Sequence, residues 1–208
     1  DSSIIAFTLT NDDIIERGFQ MVGAHTDSPC LKVKPKPEKN KHGYFQLGVE
    51  VYGGALLNPW FDRDLSLAGR VNYITPEGEM ASALINFEQA IATIPSLAIH
   101  LDREANESRT INKQQHIPPI LMKLPDDNSG SPDFREMLLR VLLKQHADSS
   151  AEKVLDYELS FYDVQPPAVI GLNKDFIASA RLDNLLSCYT CLVSLLEADE
   201  KQNCLLVC

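Results

Sequence analysis

The sequence predicts an α/β fold interrupted by a β-rich insertion, and three patterns in its 208 residues carry that expectation. Short apolar, β-rich runs open the chain. A strongly periodic amphipathic helix followed by a strand closes it. Between them lies a long stretch of alternating segments punctuated by Gly and Pro. A hydrophobic content of 44% is enough to bury a sizeable core.

Residues 3–8 (SIIAFT) and 18–24 (GFQMVGA) read as a pair of strands joined by a polar connection. The second runs into His25-Thr26-Asp27-Ser28-Pro29, where turn-forming residues replace the apolar run and Pro29 stops regular pairing. His25 is thereby placed at the C-terminal end of a strand. After the basic, Pro-containing stretch 32–41, residues 44–75 alternate like several sheet strands, broken at Gly53-Gly54, Asn58-Pro59 and Gly69. Residues 95–101 (PSLAIHL) read as a short strand, 119–126 as a connector and 127–132 (DNSGSP) as a loop. Phe134, Met137, Leu138, Val141 and Leu142 recur at helical spacing, so a helix spans about 133–145. A new element begins at 151–154, and a strand follows at 157–164. Leu182, Leu185, Leu186, Tyr189, Leu192, Val193 and Leu196 make residues 184–198 an amphipathic helix with Asp183 or Asn184 near its N-cap. A strand at 204–208 ends the series.

The formal charge of −10 and the lack of a basic cluster beyond Lys32 to Lys36 argue against a nucleic-acid partner. No apolar run approaches the roughly 20 residues that span a bilayer, and the opening Asp1-Ser2-Ser3 has no basic signal-peptide region. The expected location is cytoplasmic, with no membrane partner. The first residue is not Met, so the natural N-terminus is expected upstream. The cysteines are Cys30, Cys188, Cys191, Cys204 and Cys208, an odd number that does not suggest a secreted disulfide framework. The spacing of the last four has the form of a structural zinc site. Their setting in a periodic helix and an apolar run favours packing instead.

His25 and Asp27 have the spacing in which one imidazole nitrogen binds a metal while the other donates its proton to a carboxylate. A strand-end turn capped by Asp explains the same pattern. Asp183 can be read as an N-cap, or as a carboxylate whose two oxygens bridge a pair of cations. Spacing alone does not choose between these readings.

Four blocks in order do: QMVGAHTDSPCLKVKPKP at 20–37, YGGALLNPWFDRDLSLAGRV at 52–71, PSLAIHLDRE at 95–104 and FIASARLDNLLSC at 176–188. Together they resemble the M18 family of aspartyl aminopeptidase-like enzymes over nearly the whole chain. The resemblance implies a zinc-dependent exopeptidase-like mixed sheet with helices. Residues 1–32 and 166–208 would form parts of the catalytic domain, and 33–165 an inserted β-rich oligomerisation domain. It implies that His25 is a zinc ligand, that Asp27 is the catalytic carboxylate orienting it, and that Asp183 bridges two metals. His100 would contact the substrate of a neighbouring subunit. Trp60 to Asp64 suit a structural or subunit-contact role. The expected cofactor is Zn2+, two ions per intact site. The expected partners are peptide substrates with acidic N-terminal residues and further copies of the chain in a homo-oligomer.

The family's following block, a Glu-Glu pair after the strand that here ends at Cys208, is absent, as are a later aspartate and histidine. The reading therefore expects these 208 residues alone to lack peptidase activity and to bind zinc weakly. The rival expectation is a non-enzymatic oligomerisation module derived from the same family.

Overall fold

The structure is a computed structural model and describes residues 2–10, 14–125, 130–198 and 202–208. Residues 127–129 of the predicted loop at 127–132 therefore lie outside the described residues. In chain order the elements are β1 (Ile5–Thr8), a single helical turn α1 (Ile14–Arg17), β2 (Gln20–Gly23), β3 (Cys30–Lys41), β4 (Tyr44–Tyr52), β5 (Leu65–Ile74), β6 (Met80–Asn86) and β7 (Ile120–Lys123). They continue with α2 (Phe134–Gln145), β8 (Lys153–Asp163), β9 (Ala168–Ile170), β10 (Phe176–Ala178), α3 (Leu182–Leu196) and β11 (Cys204–Val207). The chain divides into two compact units: Asp1–Ser28 with Pro166–Cys208, and Pro29–Gln165. The break falls at Ser28/Pro29 rather than after residue 32, because Cys30 already belongs to the long strand β3.

In the first unit β11 lies between β1 and β2, antiparallel to the one and parallel to the other. The opening strands are thus not partners of each other, as their sequence adjacency suggested. The buried Asn203, just before β11, ties the ends of the three strands. Its Oδ1 accepts from Thr10 N (2.9 Å) and Thr10 Oγ1 (3.1 Å), and its Nδ2 donates to the Gly18 carbonyl (3.2 Å). Every polar group of this buried amide is engaged, which is what makes burying it tolerable. Strands β9 and β10 form a separate antiparallel hairpin. The buried apolar cluster of this unit is Leu195, Cys204 and Leu206.

The second unit is a six-stranded antiparallel sheet in the order β6-β5-β8-β3-β4-β7, with α2 packed on it. Strand β3 runs through the basic, Pro-rich stretch. Pro removes a ladder donor, so prolines belong at bulges or edges. Here Pro35 and Pro37 fall where the pairing with β4 shifts register, between Val33 and Glu38. Side chains serve the carbonyls freed there: Tyr157 Oη donates to Lys34 O (2.7 Å) and the Arg135 guanidinium to Pro35 O (3.2 Å). Helix α2 starts as expected, with Asp133 Oδ1 accepting from the amides of Arg135 (2.8 Å) and Glu136 (3.2 Å). Phe134, Leu138 and Leu142 are fully buried, and the Phe134 ring meets Tyr157 edge to face at 5.4 Å. In mid-β5, Gly69 has φ +152°, and a Cβ there would stand 2.1 Å from the Glu158 carbonyl oxygen on β8. Glycine is required at that crossing.

Two further expectations are corrected. Residues 95–101 are not a strand: the segment is irregular and ends in a turn in which Leu101 N bonds Ala98 O (2.8 Å), leaving Leu97, Ile99 and Leu101 exposed. The connector at 119–126 contains β7, an edge strand whose pairing with β4 tolerates the adjacent prolines. No helix among the described residues is long and apolar enough to cross a membrane.

Candidate metal centre

The first unit brings His25, Asp27 and Asp183 together. Strand β2 ends at Gly23, and the pairing to β11 is carried one step further by Ala24 N donating to Val207 O (2.9 Å). The chain then leaves the sheet and His25 stands at its edge. Across from it, α3 begins irregularly. Arg181 is left-handed (φ 63°), while Asp183 (φ −86°, ψ 106°) and Asn184 (φ −124°, ψ 21°) are not helical. Regular turns begin with Leu185, whose amide reaches Arg181 O (3.3 Å). The expected N-cap region is thus an irregular lead-in, and it directs Asp183 and Asn184 at the end of β2.

His25 is held on both ring nitrogens. Nδ1 donates to the Asp27 carbonyl (2.9 Å) and lies 3.3 Å from Asp27 Oδ1. Nε2 lies 3.3 Å from Asp183 Oδ1. Ser28 Oγ donates to the Asp183 carbonyl (3.3 Å), linking the turn after His25 to the start of α3. The side chains are open to solvent, His25 at 52% and Asp183 at 89%. With an Nδ1 proton donated to the Asp27 carbonyl, the neutral tautomer would present a lone pair at Nε2 toward a carboxylate oxygen. Two electron-pair donors at that separation repel unless a cation stands between them. Two donors bound to one tetrahedral zinc at about 2.1 Å each stand roughly 3.4 Å apart, a separation that the 3.3 Å distance matches, as it also matches an imidazolium–carboxylate ion pair. The donor types, imidazole and carboxylate, suit zinc. His25 and Asp183 would hold it, with Asp27 fixing the tautomer.

These two donors do not complete a zinc shell, and among the described residues no group of three or more His, Cys, Asp or Glu could hold a metal ion. The cysteines are all free. Cys204 is buried, and burial first, then the adjacent Cys188 and Cys191 thiols, raise the Cys208 thiol above its ordinary pKa, which disfavours the thiolate that a metal needs.

His100 belongs to the second unit. It is exposed in the turn around Ile99, not on a strand. The aromatic block nearby is tied down within the fold: Phe61 is buried under the Arg109 guanidinium, 4.2 Å from the ring centre, and Arg63 pairs with Asp163 (2.8 Å). Sequence reasoning considered Asn184 as an N-cap and Cys188 as a zinc-spaced or packing cysteine, not as partners of His25. Asn184 Oδ1 accepts from His25 N (3.3 Å), and Cys188 Sγ donates to His25 O (3.2 Å). Their positions one and five residues after Asp183 are the signal that could have found them.

Residues 1–208 match the family model described as aminopeptidase I zinc metalloprotease (M18). Probable M18 family aminopeptidase 2 of Ectopseudomonas mendocina is 60% identical over 208 residues, all of this chain and 48% of that protein. The protein of the same description from Stutzerimonas stutzeri is 59% identical over the same share. The chain thus spans about half the length of the curated relatives it matches. Among solved structures, the complex of Ape4 and Nbr1 superposes with TM-score 0.87 at 32% identity, covering 99% of this chain and 43% of that one. The S. cerevisiae mApe1 dodecamer superposes with TM-score 0.74 at 27% identity, covering 99% and 46%. With a whole-chain family match, relatives at about 60% identity and the same fold in solved yeast aminopeptidase 1, this chain belongs to the M18 family of aminopeptidase I zinc metalloproteases.

Proposed function

We propose that this chain supplies His25, Asp27 and Asp183 to the two-zinc site of a metalloaminopeptidase that releases N-terminal residues, preferably acidic ones, from peptides. The observation that supports this reading is the 3.3 Å gap between His25 Nε2 and Asp183 Oδ1, with Nδ1 already committed to Asp27. Zinc, if held there by His25 and Asp183, would supply Lewis acidity toward the scissile carbonyl and a water of lowered pKa. His25 contributes the Nε2 lone pair. Asp27 keeps the proton on Nδ1 and raises the basicity of Nε2. Asp183 has a second oxygen, which allows one carboxylate to serve two cations. His100, exposed on the second unit, is assigned to the substrate of a neighbouring subunit on the family resemblance. Self-association is assigned to Pro29–Gln165, in keeping with the dodecamer formed by the yeast relative. A cytoplasmic location fits the free cysteines.

The test is a zinc titration of these 208 residues followed by long-range proton–nitrogen NMR of the imidazoles. The His25 Nε2 resonance should move on zinc addition, binding should be weak, and an Asp-peptide should remain unhydrolysed. A His25 ring that stays protonated on both nitrogens at neutral pH and ignores zinc would show an ion pair with two carboxylates, and the metal reading would fall. A non-enzymatic assembly module is the second reading, favoured by the complete core of Pro29–Gln165. It gains if His25 ignores zinc while the chain still self-associates.

A further inference from the structure

The His25 side chain can face Asp183 only if its main chain is held still, and the turn after β2 is anchored by Thr26 Oγ1 donating to Ser2 O (2.6 Å) and Ser28 Oγ donating to Asp183 O (3.3 Å). Beyond Ala24 the sheet pairing stops, and His25 is half exposed. Its amide and its carbonyl nevertheless both have partners, and both partners come from the start of α3. The His25 N–H is accepted by Asn184 Oδ1 (3.3 Å), and the His25 carbonyl accepts from Cys188 Sγ (3.2 Å). The two lie four residues apart. The non-helical lead-in at Asp183 and Asn184 turns the Asn184 side chain toward β2, while Cys188, half-buried one turn into the helix, faces the same strand end.

We propose that Asn184 and Cys188 are positioning residues that grip the His25 main chain from its two sides and so set the distance between His25 Nε2 and the Asp183 carboxylate. The assignment rests on the metal-site reading above. Asp183 and Asn184 are consecutive, so the segment that carries one donor also carries the group that places the other. Any shift of α3 along the sheet moves Asp183 and its grip on His25 together, and the gap is conserved. Cys188 acts here through its S–H as a donor, which accounts for a cysteine at the helix–sheet contact without a thiolate or a disulfide.

The experiment compares the 208-residue chain with Asn184→Ala, Cys188→Ala and Cys188→Ser. It measures zinc affinity by competition with a chromophoric chelator, and the exchange rate of the His25 amide without metal. Partners that orient a metal ligand are worth 10–100-fold in metal affinity. Asn184→Ala and Cys188→Ala should each weaken zinc binding about tenfold. Cys188→Ser, which keeps a donor, should stay close to wild type. The His25 amide should exchange faster in Asn184→Ala and not in Cys188→Ser. Wild-type zinc affinity in both alanine variants, with His25 exchange unchanged, would overturn the proposal. Failure of the wild-type chain to bind zinc at His25 would remove the metal reading instead. The grip would then stand or fall on the amide exchange alone. If Asn184→Ala does not fold, the Cys188→Ala and Cys188→Ser pair decides.

Discussion

Pro29–Gln165 encloses its own core, with residues such as Leu31, Phe45, Leu47, Leu65, Phe134 and Phe161 almost completely removed from water. In Asp1–Ser28 with Pro166–Cys208 the buried apolar cluster is Leu195, Cys204 and Leu206, while Leu186, Tyr189 and Leu196 on α3 are exposed. The face that α3 turns to the sheet is Cys191 and Leu195, not the leucine stripe that the sequence pattern marks as its inner face. A helix apolar on both faces is built for burial on both. The difference teaches that the two units specify their structures by different means. One relies on area, roughly 25 cal/mol per Å² buried. The other relies on placed polar groups, Asn203 at the strand ends and Asn184, Asp27 and Cys188 around His25.

The largest effects should come from hollowing the second unit. Phe134→Ala removes a side chain that is 1% exposed and its edge-to-face contact with Tyr157. A loss of about 3–5 kcal/mol is expected. Denaturant unfolding followed through the lone Trp60, which lies in this unit, reads it directly. Gly69→Ala comes next. Its Cβ would collide with the Glu158 carbonyl at 2.1 Å, at a backbone conformation that alanine avoids. About 2–4 kcal/mol should be lost as the β5–β8 pairing gives way. An unchanged Trp60 transition in either variant would contradict a core-dominated unit.

The first unit should respond to a polar deletion instead. Asn203→Ala leaves the Thr10 amide and the Gly18 carbonyl without their buried partner, which costs about 1–3 kcal/mol. Hydrogen exchange should accelerate at Thr10 and along β11 while the amides of β5 and β8 keep their protection. Equal loss of protection in both units would erase the contrast between them.

How much of this was legible in the sequence follows the same division. Periodicity located α2 and α3, and the switch from apolar to turn residues located His25 at the end of β2. The family resemblance selected His25, Asp27 and Asp183, and the first unit brings the three together. What stayed hidden depends on pairing between distant segments. Pro35 and Pro37 disguised β3, since only the register shift against β4 makes prolines compatible with a 12-residue strand. The alternation in residues 95–101 imitated a strand, although no partner strand pairs with that segment among the described residues, so His100 was misplaced. Asn203, Asn184 and Cys188 carry no periodic signal. Their importance lies in partners more than 150 residues away in the chain.

The smallest effect expected is one of pH, and it lies in the second unit. The Asp62 carboxylate accepts from the Ser96 amide (2.8 Å) and thereby ties the Trp60–Asp64 block to the irregular segment leading to His100. That hydrogen bond, helped by the Arg109 charge, holds the Asp62 pKa below its usual 3.8 against the opposing effect of burial. A carboxylate whose pKa is lower folded than unfolded binds its proton more tightly in the unfolded chain. It therefore adds stability above the unfolded pKa, and that stability is lost as pH falls through the folded value. Asp62 is exposed, so solvent screening keeps the contribution small. Asp62→Asn retains an acceptor but cannot titrate. The difference between wild type and this variant in the Trp60 unfolding midpoint should be present at pH 6 and shrink below about pH 4. A difference that stays constant down to pH 2.5 would mean that the Ser96 contact depends on shape, not on charge. In that case this turn of the second unit is held by packing, and the contrast with the first unit is sharper than drawn.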